Sequence, residues 1–221
     1  MRVLVTGACG YLGSEVAAYL AGALEGARIV GLDNLSRRGS ERNVARLREI
    51  GADFVHGDVR SAADLRALPD VDWVVDCAAN PSVTAGIPGL GGSTSEQLVG
   101  HNLGGTLHML EYCRERGAGF VLLSTSRVYS IEALGRIPLV EGETRFQPAP
   151  GAGAGIPGYS ERGVAEEFPT SAPISLYGAT KLASEVLALE YGGAFGFPVW
   201  IDRCGVIGGP GQFGRIDQGI F

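Results

Sequence analysis

Short apolar runs alternate with longer amphipathic stretches along most of this chain. The short runs are bounded by glycine, aspartate or asparagine and read as buried strands. They fall at residues 3–6, 28–32, 53–56, 73–76, 120–124 and 199–203. Between them, apolar positions recur at helical spacing over 11–24, 40–50 and 95–116, and from Tyr177 to about Phe195. Ser40 stands where an N-cap is expected for the second of these helices, and Ser61 for a short helix before Pro69. Strict alternation of strand and helix predicts an α/β fold, a doubly wound parallel sheet of the Rossmann type.

Two stretches break the rhythm. Residues 80–93 are rich in glycine and proline and follow a strand end. Residues 130–173 form a long excursion containing "QPAPGAGAGIPG". Excursions of this length are usually functional or mobile. This one is expected to be either a surface insert or a lid over substrate.

Composition narrows the class. The 221 residues carry a net charge of −6, which argues against a protein that grips a nucleic-acid backbone. No apolar run reaches the length of a membrane span. "MRVLVTGACG" reads as a strand entering a glycine turn rather than a signal peptide. The four cysteines, Cys9, Cys77, Cys113 and Cys204, form no CxxC pair. They are expected to be reduced core thiols of a cytoplasmic protein, with no metal site.

The first strand runs into "TGACGYLGSEV", where Gly7, Gly10 and Gly13 make a GxxGxxG loop. Glycines there permit a tight turn and let the backbone approach a pyrophosphate at a helix N-terminus. Tyr11 and Leu12 fall within the loop. Asp33 ends the second strand 20 residues after Gly13, where a carboxylate accepts hydrogen bonds from a ribose diol. It would repel a 2′-phosphate, so NAD is expected over NADP. Arg37 and Arg38 weaken that expectation, because an arginine pairs well with phosphate. Asn34 follows the acid. Asp58 and Val59, in "GDV", follow the third strand, and Asp58 is expected at the adenine edge. Small residues at Cys77, Ala78 and Ala79 end the fourth strand and would let backbone approach the cofactor.

Tyr177 and Lys181 lie one turn apart on a predicted helix. Alone, such a pair is an ordinary amphipathic surface feature. Beside a nicotinamide and a hydroxyl it becomes a proton-transfer pair. An ammonium and a cationic nicotinamide would both favour phenolate over a phenol of pKa about 10. Ser124, Thr125 and Ser126 supply hydroxyls at the end of the fifth strand.

Taken in order, TGxxGxxG, the acid after strand two, "GDV", "CAAN", "HNLGGTLHMLE", "STSRVY", YxxxK and "RCGVIGGPGQ" resemble the extended short-chain dehydrogenase/reductase family, the NAD-dependent nucleotide-sugar epimerases and dehydratases. The resemblance covers essentially the whole chain. Within it, "DNLSRRGSERNVARLREIGADFVHGDVR" and "GGPGQFGRIDQGIF" are similar to the subgroup that epimerises CDP-paratose and CDP-tyvelose at C2.

The resemblance implies roles. Tyr177 would remove a sugar hydroxyl proton. Lys181 would hold the nicotinamide ribose and lower the tyrosine pKa, and Thr125 would hydrogen-bond the reacting oxygen. Ser124 and Asn102 would order the cofactor's surroundings, and Cys204 and Val206 would lie against the nicotinamide. Ser126, Arg127 and Gln212 would face the substrate. It also implies domains: an NAD-binding domain over 1–205 with the insert 130–173, then a truncated start of a substrate lobe over 206–221. The helix ending near Arg116 and the helix after Tyr177 would suit a homodimer face.

Two alternatives stay within enzymes. A nucleotide-sugar dehydrogenase or reductase uses the same residues. A 4,6-dehydratase in this family carries Asp-Glu directly after its threonine, where this chain has Ser126 and Arg127. A third alternative is a non-catalytic NAD-binding module.

Overall fold

A computed structural model describes residues 1–90, 92–153 and 155–213. Six parallel strands form one sheet: β1 (Arg2–Thr6), β2 (Arg28–Asp33), β3 (Asp53–His56), β4 (Trp73–Asp76), β5 (Gly119–Thr125) and, last in sequence, β10 (Val199–Cys204). Their spatial order is β10-β5-β4-β1-β2-β3. The order reverses between β1 and β4, which pair from Val3 opposite Trp73 to Thr6 opposite Asp76. Ligands of such sheets bind outside the strand C-termini at this reversal.

Alternate side chains of each strand point to opposite faces. On one face Val3, Val5, Ile29 and Val75 pack with Ala17 of α1 (Tyr11–Ala23) and Leu47 of α2 (Asn43–Glu49). On the other, Leu4, Val30, Val74, Phe120 and Leu122 pack with Leu65 of α3 (Ala62–Arg66). They also meet Met109 and Leu110 of α5 (Gly105–Arg116) and Ala188 of α7 (Leu176–Phe195). The doubly wound architecture expected from the alternation is the architecture found.

Three local expectations need correcting. Ser40 does not cap α2. It opens a single 3₁₀ turn, Ser40–Arg42, and its hydroxyl is buried without a protein partner. Ser61 does cap α3, accepting from the Asp64 amide.

The helix expected over 95–116 is not uniform. α4 (Ser95–Val99) passes through a π turn, Gly100–Gly104, before α5 begins. Glycines weaken the regular ladder there. The turn aims Asn102 inward, with 1 % of its surface exposed.

The insert is the third correction, because it holds structure of its own. It contains α6 (Ile131–Gly135) and two small hairpins, β6 (Leu139–Glu141) with β7 (Phe146–Pro148) and β8 (Tyr159–Ser160) with β9 (Gly163–Val164). Its anchor is Phe168, 1 % exposed, whose ring meets Tyr129 edge-on at 5.7 Å. Backbone bonds from Ser130 to Pro169 and from Ile131 to Pro173 close its base. Among the described residues no helix is long and apolar enough to cross a membrane.

Candidate active site

A cavity of about 690 Å³ opens along the C-terminal edge of the sheet. One end is built by the glycine loop. Gly7 adopts φ +61°, and a Cβ there would lie 3.0 Å from the Cys77 and Ala78 backbone. At Gly13 a Cβ would stand 2.1 Å from the Gly7 carbonyl oxygen. The glycines therefore let loop, helix and neighbouring strand touch. α1 starts at Gly10 with no side-chain cap and no acid in its first turn, so its leading N–H groups suit an anion.

Asp33 steadies this end. Its carboxylate accepts from the Cys9 amide at 2.9 Å and the Leu35 amide at 2.7 Å, and it lines the cavity. Burial and the Asp33 charge push the Cys9 thiol up to about 12, so it is inert. Tyr11, Leu12, Asn34, Val59, Ala78 and Ala79 also lie on the wall.

Asp58 does not. Its carboxylate is bound by Arg60 at 2.7 Å and by Asn34 at 2.9 Å, and the Arg60 guanidinium holds it well below the usual carboxylate range. Asp58 stands next to Gly57 and Val59, which line the cavity.

The other end gathers Ser124, Thr125, Ser126 and Arg127 after β5, Tyr177 and Lys181 from α7, and Cys204 and Val206 after β10. Ser175 starts α7 by accepting from the Gly178 amide at 3.1 Å. Thr125 and Tyr177 line the same end of the cavity. Burial raises the Tyr177 pKa, Thr125 lowers it, and the cation acting on it is Arg127. Lys181 is 3 % exposed, and burial pulls its pKa down against the opposing charges of Asp76 and Glu185.

Supporting contacts fix both ends. Asp76, 1 % exposed, accepts from Thr6 Oγ1 at 2.6 Å and Thr106 Oγ1 at 3.0 Å. Thr6 Oγ1 in turn accepts from the Ala78 amide at 3.0 Å. Asn102 is not on the wall. It orders the strand end, accepting from the Asn80 amide at 2.8 Å and donating to Thr180 Oγ1 on α7 at 3.1 Å.

Sequence reasoning missed Glu185 and Arg203. Arg203 Nη2 reaches Glu185 at 2.7 Å, and the Ser124 hydroxyl also donates to Glu185. Arg203 Nη1 donates to the Glu166 carbonyl of the insert at 2.8 Å. Arg203 opens the quoted "RCGVIGGPGQ" run, but Glu185 stands in no local motif, so the sequence carried no signal for the pair.

None of the described residues 130–173 lines the cavity. All four cysteines are free thiols; Cys77, packed against the core, and Cys204 also line the cavity.

The wall fits a dinucleotide. Ser40 Oγ and Gln212 Oε1 line the cavity, buried and without protein partners, as ligand contacts would be. Asp33 is the single carboxylate among the described lining residues. Arg37, the arginine that could meet a 2′-phosphate, donates to the Phe213 carbonyl at 3.0 Å and lies 5.8 Å from its ring centre. Residues 214–221, the rest of the expected substrate segment, fall outside the described residues.

Comparisons with known proteins agree with this geometry. The model of the NAD dependent epimerase/dehydratase family matches residues 3–221. A CDP-paratose 2-epimerase of Salmonella typhi is 30% identical over 222 residues, covering 99% of this chain and 61% of its own. A dTDP-glucose 4,6-dehydratase of Streptomyces niveus is 31% identical, covering 96% of this chain and 56% of its own. The structure of Thermus thermophilus UDP-glucose 4-epimerase in complex with NAD is similar at TM-score 0.68 and 28% identity, over 96% of this chain and 58% of that one. The chain thus spans little more than half the length of these relatives.

Proposed function

The chain belongs to the NAD dependent epimerase/dehydratase family, and on that premise we propose that it is the NAD-binding and proton-transfer part of a nucleotide-sugar epimerase. The observation that carries this reading is the convergence of Thr125, Tyr177 and Lys181 on the same cavity as the glycine loop and Asp33. The wall residues from Gly7 to Cys204 would hold NAD, which when bound would supply a hydride acceptor and donor. The engagement of Arg37 by Phe213 supports NAD over NADP.

The chain's own residues handle the proton. Thr125 orients the reacting sugar hydroxyl toward the Tyr177 phenol oxygen. Tyr177 accepts the hydroxyl proton as the carbon becomes a ketone and returns it after the sugar presents its other face. Lys181 would hold the nicotinamide ribose, its charge favoured by Asp76 and Glu185. The described wall near Tyr177 holds no carboxylate to remove a second proton and water, so epimerisation is favoured over 4,6-dehydration. The Salmonella relative points to a CDP-deoxyhexose inverted at C2. The domain division at about residue 205 and a homodimer through α5 and α7 belong to the same reading. The dimer is supported by exposed Val186, Leu189 and Phe195 on α7.

Calorimetric titration with NAD, then with CDP- and UDP-sugars, tests it. NAD binding followed by CDP-sugar binding is expected. Stoichiometric NADH accumulation during turnover would instead identify a dehydrogenase. NAD binding without turnover in any form of the chain would leave a non-catalytic module.

A further inference from the structure

Residues 93–101 supply a stretch of cavity wall that the reading above leaves unused. Ser93, Gln97 and His101 follow one another there at four-residue spacing, and all three line the cavity. Gln97 belongs to α4 and His101 to the π turn that follows it. Two bonds tie this stripe to the tyrosine helix. Asn102, next to His101, donates to Thr180 Oγ1 at 3.1 Å, and Thr180 Oγ1 donates to the Tyr177 carbonyl at 2.8 Å.

Each side chain of the stripe is braced by one bond and has a polar group left over. Ser93 Oγ accepts from Asn80 Nδ2 at 3.0 Å, so its own proton is uncommitted. Gln97 Oε1 accepts from the amide of Thr94, the N-cap of α4, at 3.0 Å, which leaves the Nε2 protons. His101 Nδ1 bonds the Gln97 carbonyl oxygen at 2.7 Å. A carbonyl only accepts, so Nδ1 carries the proton and the neutral ring offers Nε2 as an acceptor. None of these remaining groups has a partner among the described residues.

The stripe thus presents two donor groups and one acceptor, with no arginine, lysine or carboxylate among its three residues. Such a set suits neighbouring hydroxyls, which both donate and accept, better than it suits phosphate. Resting on the reading of the cavity as a nucleotide-sugar site, we propose that Ser93, Gln97 and His101 form the subsite that binds the hydroxyls of the sugar and selects among sugars. The tie to Tyr177 assigns it to the reacting sugar rather than to the ribose of the nucleotide.

Two substitutions test this while sparing the brace. Gln97→Glu keeps the capping oxygen and removes the donor. His101→Phe removes Nε2 and keeps a planar ring. In calorimetry with NAD present, each should weaken nucleotide-sugar binding about tenfold, the scale of one lost hydrogen bond. CDP and UDP alone, and NAD, should bind within about twofold of the wild type. In turnover KM should rise at unchanged kcat. Nucleotide-sugar affinity within about twofold of wild type in either variant overturns the proposal, as does an equal loss for CDP and UDP. If the wild-type chain accumulates NADH while both variants lose sugar affinity, the epimerase reading falls and the subsite stands. A wild-type chain that binds NAD but no nucleotide sugar overturns both.

Discussion

The two ends of the cavity are built on different principles. The glycine-loop end comes from one short segment, residues 7–13, plus Asp33, and its determinants are missing side chains and backbone amides. The tyrosine end draws Thr125, Tyr177 with Lys181, and Cys204 from three elements. It is fastened by side chains from the far side of the sheet, Glu185 bonding Ser124 and Arg203 together. One end tolerates nothing larger than glycine at its contacts, whereas the other depends on partners being present. Damage at the first should therefore read as lost binding, and damage at the second as lost chemistry or lost stability.

That contrast can be broken most decisively at Tyr177. Tyr177→Phe should lower turnover by about 10³-fold, the scale of a lost general base, while NAD affinity stays within about twofold. An equal fall in NAD affinity would mean that the two ends are one unit. Glu185→Ala should cost about 3 kcal/mol, measured by denaturant unfolding, because it strands Arg203 and the Ser124 hydroxyl. A loss under about 1 kcal/mol would make the pair a surface contact. Gly13→Ala should cost about 2 kcal/mol through the clash with the Gly7 carbonyl. In calorimetry it should also weaken NAD binding at least about tenfold.

The smallest effect concerns Asp58. Its carboxyl is held below the unfolded value of about 4 by Arg60. Its stabilisation is therefore present above about pH 4 and lost as pH falls through the folded value. Asp58→Asn should flatten the stability loss between about pH 4 and pH 2, and an unchanged acid limb would deny the ion pair any net role.

Residues that signal locally were legible. The β3 and β4 boundaries, the Ser61 cap and the convergence of the glycine loop with Tyr177 follow from apolar runs, capping chemistry and ordered motifs. What escaped depended on tertiary partners. Glu185 and Arg203 are 18 residues apart and look like ordinary surface charges until α7 packs on β5 and β10. The bonds of Asp58 to Arg60 and Asn34 likewise needed the fold to show them. Ser40 had the right residue type for a cap, yet its hydroxyl turned inward. The π turn holding Asn102 had no periodic signature, since a single-turn widening leaves the apolar pattern nearly intact. The 130–173 insert read as loop because its strands are two or three residues long.

Strand order carries a consequence for the growing polypeptide. β1 lies between β2 and β4, so its ladders can close once residue 76 has left the ribosome. β5 lies between β4 and β10 and has its second neighbour only after residue 204. At about 10 residues per second, roughly 13 s of synthesis separate these events. Nascent chains halted between them should hold a formed glycine turn and a bare β5 edge, with the tyrosine helix still lacking its Arg203 fastening. Holdase chaperones would meet this chain in that interval.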